Sequence, residues 1–297
     1  MEPPIPDCDP GEWTFPTWLD QRLVSDFRFA RAYNALGDER RALIKGLVAR
    51  HYSLQHCGPH NVGLSEAHGI FDRRLVRQPL PFVLLLVDAL YDAPALLLAA
   101  LLPALCGRVP QVLVARLGKG APDALLVACE LSGQERLATL GPVQLQRLLL
   151  ELAAGGAPGA VIHPDTEDFR RVLAKPALRQ ALDASPLRLL PLRAPRLPGL
   201  WRDAATDFPP ADVALLYGAL AFDEQGAAPD QAGQTQPDDA AWQQFSAVPR
   251  DLLLAPAARA GQSRAVVTSS GECLGMWRWP QLQHTAFAQE RQTFLPT

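Results

Sequence analysis

PFVLLLVDALYDAPALLLAALLPALCGRVPQVLVARLGKGAPDALLVACELSGQERLATLGPVQLQRLLLELAAGG, residues 81–156, alternates short apolar runs with longer Leu/Ala-rich segments, and Gly or Pro punctuates the joints. Residues 82–87 are followed by 94–106, 112–117 by 122–131, and 136–140 by 142–154. Short Val/Leu runs bounded by turn residues read as strands buried on both faces, and the longer segments have helical length. That rhythm predicts a Rossmann-like α/β fold: a mostly parallel sheet with helices on both faces.

Outward from this block the signals weaken. Residues 1–78 read as a helical N-terminal section. Leu19, Leu23, Val24 and Phe27 recur at helical spacing over 18–36, Gly37 ends that segment, and Asp38 can cap a second helix over 39–54. The polar stretch 58–78 then reads as a connector. The α/β core is expected over 79–200, with further strands at 159–163 and 187–192. Between them Asp165 looks like an N-cap, with Asp168 in the first turn ahead of Phe169 and Val172. Proline density argues against regular structure over much of 191–210. Residues 201–297 are expected to complete the α/β body. They hold a helix at 211–222, a flexible surface stretch at 224–239 without a large apolar residue, strands at 252–255 and 265–268, and a tail with Trp277, Trp279 and Phe294. No repeat of fixed period is visible.

Composition excludes some functions. A net charge of -3 gives no electrostatic reason to bind nucleic acid. The longest uncharged apolar run, 93–107, is too short for a bilayer and is broken by Pro103, so no membrane span is expected. The acidic, proline-rich N-terminus is unlike a signal peptide. The five cysteines are scattered, with no Cys-x-x-Cys pair, and Cys106 and Cys129 sit in apolar helical runs. A reduced, cytoplasmic protein is the expectation.

Residues 93–107, Ala-Pro-Ala-Leu-Leu-Leu-Ala-Ala-Leu-Leu-Pro-Ala-Leu-Cys-Gly, resemble the first helix in the cofactor-binding core of histidinol dehydrogenase, a member of the aldehyde-dehydrogenase-like superfamily. Residues 109–117 resemble that family's next strand, 122–133 the following helix, and 140–144 the turn that opens another. The resemblance covers roughly a quarter of the chain. It implies a Rossmann-like core and NAD as the cofactor, with zinc the less favoured one. The departures are chemical. The family's first glycine-rich turn is here Tyr91-Asp92-Ala93, and Pro142 replaces a glycine of the later turn. The Gln-x-x-His metal tract and the paired late histidines have no counterpart, since only His163 and His284 follow Gly156. The resemblance therefore implies a shortened, degenerate relative that has lost zinc-dependent alcohol oxidation.

Three groups of residues are candidate sites. Gly118, Lys119 and Gly120 stand between a strand and a helix, where backbone N–H groups and a helix end hold phosphates. Against that role, Asp123 occupies the third glycine position of the fingerprint, and any strand–helix crossover needs a turn. His56, Cys57 and His60, within a His51–His68 cluster holding four of the six histidines, offer zinc-type donors. Their spacing fits no common zinc module, and histidines at a helix end interact well with its dipole unaided. Cys273, beside Glu272 in a glycine-flanked turn, is a candidate nucleophile, though no nearby His or Lys would activate it. Trp277 and Trp279 resemble a stacking platform, but a core anchor explains them better.

Three functions remain open from sequence: a dinucleotide-binding oxidoreductase-like protein, a non-catalytic interaction or regulatory module on the same fold, and a metal-binding protein. The partners expected are a small-molecule or nucleotide ligand, and a protein partner or a second copy of the chain.

Overall fold

The computed structural model describes residues 13–55, 62–204, 206–226 and 239–296. After a 3-10 turn at Thr17–Arg22 come α1 (Asp26–Leu36), α2 (Asp38–Leu54), β1 (Val62–Ala67) and β2 (Phe71–Pro79). The core block follows as β3 (Phe82–Val87), α3 (Pro94–Cys106), β4 (Gln111–Leu117), α4 (Asp123–Leu131), β5 (Leu137–Leu140), α5 (Pro142–Ala154) and β6 (Gly159–Pro164). Next are α6 (Glu167–Leu173), α7 (Pro176–Asp183), β7 (Leu187–Leu192), β8 (Gly199–Arg202), α8 (Pro210–Tyr217) and β9 (Asp223–Gly226). The chain continues through α9 (Asp239–Ala247), β10 (Leu252–Leu254), α10 (Ala257–Ala260), β11 (Val267–Ser269) and β12 (Ala288–Pro296).

The first sheet has the order β5-β4-β3-β6-β7, and every pairing in it is parallel. Its central strands lack a polar face because helices cover both sides, whereas the edge strand β7 is largely exposed. Val83, Leu85, Val87, Val112 and Val114 pack with α1–α4, while Phe82, Leu84, Leu86, Leu113 and Ala115 pack with α5–α7. That is the two-residue side-chain period of a strand, with both phases apolar. Pro94 and Pro142 open α3 and α5, where the missing N–H leaves no helix hydrogen bond unmade. Gly159 is dictated by its neighbour: a Cβ there would lie 2.3 Å from the Phe82 ring, which Trp13 stacks upon at 3.9 Å.

A second parallel sheet, β11-β10-β8-β9, occupies the C-terminal part. Leu200, Leu252 and Leu254 join the same apolar cluster as α3 and α8, whereas Trp201 and Leu253 face α9 through Trp242 and Phe245. A third sheet, β1-β2-β12, is antiparallel.

Several expectations need correction. Residues 18–36 are not one helix: the chain leaves the 3-10 turn in extended form, Leu23 bridges to Ala138, and α1 starts only after Ser25. Gly37, with φ of +77°, takes the position before α2, so Asp38 is a first-turn residue rather than a cap. Thr166 occupies the cap position of α6, because Asp165 is held by its backbone N–H to Leu192. The connector 58–78 contains β1 and β2, whose charged residues disguised a sheet with little burial. Strand β8 lies inside the proline-rich 191–210. The helix expected over 211–222 ends at Tyr217, where Gly218 adopts φ of +58°, 3.0 Å from Ala93 if it carried a Cβ. The stretch 224–239 begins in β9, which pairs with β8; residues 227–238 lie outside those described. Trp277 and Trp279 are buried and meet edge-on, as core anchors do.

Candidate functional site

In an open parallel sheet, ligands settle beyond the carboxyl ends of the strands, where neighbouring strands send their connections to opposite sides. In the first sheet this place lies between β3 and β6. It is spanned by the protein's own groups. Thr166 Oγ1 donates to Asp88 Oδ2 at 2.9 Å, and the Leu90 N–H donates to Asp88 Oδ1 at 3.0 Å. Tyr91 reaches over to β7 and donates its hydroxyl to the Leu192 carbonyl at 2.8 Å. That carbonyl also accepts the Asp165 N–H at 2.7 Å. The Tyr91 ring is buried and stacks with Trp279, and burial pushes its hydroxyl well above the usual tyrosine range, so it stays a donor.

Charge at this end of the sheet is organised by pairs. Asp165 is held below the usual carboxylate range by Arg170, with Arg193 adding to the effect. Asp92, half-buried, pairs with Arg116 at 2.9 Å; burial pushes its carboxyl up, and Arg116 opposes that shift. His163, buried in β6, contacts the Pro164 carbonyl through Nδ1 at 3.0 Å, and desolvation lowers its pKa.

The Gly118-Lys119-Gly120 turn is exposed, with φ of +112° at Gly118 and +69° at Gly120. Arg116 donates to the Lys119 carbonyl at 3.2 Å, and Arg28 of α1 donates to the Ala121 carbonyl at 3.0 Å while pairing with Asp123 at 2.7 Å. Two positions separated by sequence, Tyr91–Pro94 and Pro122–Ala124, are nevertheless neighbours. Asp92, Ala93, Pro94, Pro122 and Ala124 line an open pocket of about 420 Å³, bordered by Arg40 of α2 and by Ala214 and Gly218 at α8. The cavity thus sits where α3 and α4 begin. Its walls are mostly alkyl, and Asp92 and Arg40 supply its charged groups. The sequence pointed to Tyr91-Asp92-Ala93 and to Gly118, Lys119 and Gly120; the last three do not line the cavity, and Arg40 and the α8 wall were missed. Nothing in a single chain links an N-terminal helix to one more than a hundred residues later.

Cys273 is exposed in a 3-10 turn, Gly271–Cys273, next to Glu272. His56, Cys57 and His60 lie outside the described residues. Of the cluster around them, His51 is buried on α2 and His68 is exposed in the β1–β2 turn, 3.6 Å from Glu66 and stacked on Phe71. Among the described residues no group of three or more His, Cys, Asp or Glu is placed to hold a metal ion. Among them also, no helix is long and apolar enough to cross a membrane.

No protein-family model matches the chain, and no curated protein matches its sequence. Solved structures do resemble its fold. A histidinol dehydrogenase from Elizabethkingia anophelis superposes with a TM-score of 0.50 at 10% identity, over 93% of this chain and 77% of that one. An NAD-dependent benzaldehyde dehydrogenase from Corynebacterium glutamicum gives 0.41 at 8% identity, over 91% and 83%. A succinate-semialdehyde dehydrogenase from Burkholderia pseudomallei gives 0.35 at 14% identity, over 57% of this chain and 33% of that one. The chain has a dehydrogenase-like fold, and identities this low speak to fold alone.

Proposed function

We propose that this chain is a non-catalytic binding or regulatory module on a dehydrogenase-like framework, and that it takes a small ligand in the cavity between α2, α3, α4 and α8. One observation carries the reading: the place where such a sheet holds a dinucleotide is bridged by Asp88–Thr166 and Tyr91–Leu192 hydrogen bonds. A dinucleotide there would have to break both bridges and bring its pyrophosphate beside the Asp88 carboxylate, which already accepts from Thr166 and from the Leu90 N–H. Like charges at that range repel strongly in a partly desolvated site. The residues present therefore do not fit NAD at the switch point. At about 420 Å³ the alternative cavity falls within the usual ligand-pocket range of roughly 300–1,000 Å³. Alkyl walls with a carboxylate and a guanidinium at the edge suit a compact ligand with a large apolar part.

The reading predicts that NAD, oxidised or reduced, leaves the melting temperature unchanged, because a ligand stabilises a fold only by binding it. A clear NAD-induced rise that disappears in Lys119→Ala would overturn it and would assign phosphate binding to Gly118, Lys119 and Gly120. A screen of small carboxylates and amines by the same method is expected to return a stabilising ligand, and Ala214→Trp, which fills the cavity, is expected to abolish its effect.

A further inference from the structure

Strand β9, Asp223-Glu224-Gln225-Gly226, is exposed along its whole length and brings no apolar side chain to its sheet. It lies parallel to β8, with Gly199 opposite Asp223 and Arg202 opposite Gly226. Successive strand residues point to opposite faces, so Asp223 and Glu224 are held from the two sides of the sheet. Glu224 meets Arg202 at 2.7 Å and Asp223 meets Arg250 at 2.5 Å. Both arginines are buried, and each is also fixed by groups outside β9. Arg202 donates through Nε to the Asp207 carbonyl at 3.0 Å and through Nη2 to the Phe208 carbonyl at 3.3 Å. Arg250 donates through Nη1 to the Leu197 carbonyl at 3.1 Å and lies over the Phe245 ring at 4.2 Å. Its stem runs past Gly199, where a Cβ would come within 2.9 Å of it. Arg250 Nε is buried and has no hydrogen-bond partner among the described residues, so β9 leaves this guanidinium incompletely paired. At the far end of the strand, a Cβ on Gly226 would lie 2.1 Å from the Arg202 carbonyl oxygen.

The groove beside β8 therefore reads an extended segment with two successive carboxylates and a glycine two places on. Releasing β9 uncovers no apolar side chain of its own. It does leave two buried guanidinium groups without their carboxylates, which is strongly unfavourable. The groove thus favours exchange of one acidic strand for another over simple opening. We propose that it is a docking site for an extended acidic segment of another protein, of pattern Asp-Glu-x-Gly, which displaces β9 and adds to β8 in parallel register. In strand addition, main-chain hydrogen bonds supply affinity and the sites for alternate side chains supply specificity. Here the specificity is charge complementarity: Arg202 and Arg250 select the carboxylates, and the close approach at Gly226 excludes any larger residue. Strand β9 is the resident form of the ligand, and it fills the groove until a stronger competitor arrives. Docking of this kind is independent of whether the pocket at α3 and α4 binds a small ligand.

The test uses the full chain and a fluorescently labelled synthetic peptide, Phe-Asp-Glu-Gln-Gly-Ala, the sequence of residues 222–227, read by anisotropy at low salt. Saturable binding to the wild-type chain is expected. Asp223→Asn combined with Glu224→Gln weakens the resident strand and should tighten the peptide by roughly tenfold or more, the worth of a hydrogen bond to a charged group. Replacing Asp-Glu in the peptide by Asn-Gln, or its glycine by alanine, should weaken binding by a similar factor. Circular dichroism checks that the double variant is folded, and Glu224→Gln alone serves if it is not. The proposal is overturned if the wild-type chain binds no peptide up to millimolar concentration, if binding ignores the two peptide changes, or if weakening the resident strand fails to tighten it. A dimer in sedimentation velocity that the peptide dissociates would assign the groove to β9 of a second copy, and so would overturn a foreign partner.

Discussion

The two parallel sheets share a topology class but are held together by different physics. The first, β5-β4-β3-β6-β7, is fixed by apolar side chains on both faces, and β3 and β6 are buried along their whole length. The second, β11-β10-β8-β9, has strands of three or four residues and an edge strand, β9, that is exposed throughout. Buried arginines tie its edge strand, Arg202 with Glu224 at 2.7 Å and Arg250 with Asp223 at 2.5 Å, and Arg259 of α10 pairs with Asp203 after β8 at 3.1 Å and with Asp239 of α9 at 2.6 Å. Arg250 also lies over the Phe245 ring at 4.2 Å. Where a strand is too short to bury enough apolar surface, directional charge-assisted bonds set its register instead.

This contrast can be broken by measurement. The largest effect is expected in the first sheet. Leu85→Ala should lower unfolding stability in urea by about 2–5 kcal/mol, the cost of lost transfer energy plus a cavity. A loss below about 1 kcal/mol would mean that the apolar faces are not what holds this half.

Next is a pH effect centred on His51, which is buried and whose Nε2 has no hydrogen-bond partner among the described residues. Desolvation lowers its pKa from 6.5 to about 4. The unfolded chain therefore binds the proton first as pH falls. Stability is full above about pH 6.5 and is lost progressively toward about pH 4, by about 3 kcal/mol for this group. His51→Leu should flatten much of that slope and raise stability at pH 5, leaving a smaller slope of the same sign from His163. An unchanged slope would remove His51 from the apolar layer.

In the second sheet, Arg250→Ala should cost about 2 kcal/mol, less than the roughly 3–5 kcal/mol of a fully buried pair because Asp223 is half exposed. Arg250→Met, which keeps the packing volume, should recover part of that loss. If it costs as much as alanine, the ion pair rather than the alkyl stem ties β9 to the segment that precedes β10. The smallest effect is expected outside both sheets: Lys119→Ala, in an exposed turn, should change stability by no more than about 0.5 kcal/mol.

The same contrast explains what could be read in advance. In the first sheet the strands β3 to β7 and the helices α3 to α5 were legible, because long apolar runs separated by Gly and Pro leave few alternatives, whereas α7 (Pro176–Asp183) was not anticipated. In the second, β8 hid among prolines and β9, Asp-Glu-Gln-Gly, has no apolar residue at all; its place comes from Arg202 and Arg250, far away in sequence. Strands β1, β2 and β12 escaped for a related reason. A sheet with both faces near solvent carries Arg73, Arg74 and Arg77 where a buried strand carries valine. At the candidate site, the turns at Tyr91–Pro94 and Gly118–Gly120 were visible as loops, but their surroundings were not.

The sequence by itself determined the helix–strand order of the middle third, the apolar character of both sheet faces, and the absence of the glycine turn expected after β3. These are local properties, written in side-chain period and turn chemistry. Only the tertiary structure decided that Tyr91 spans β6 to reach Leu192, that Arg40 and Gly218 border one pocket, and that β12 returns to β2 across two hundred residues. Such pairings depend on which surfaces meet when loops close, and no local pattern encodes the meeting of two distant segments.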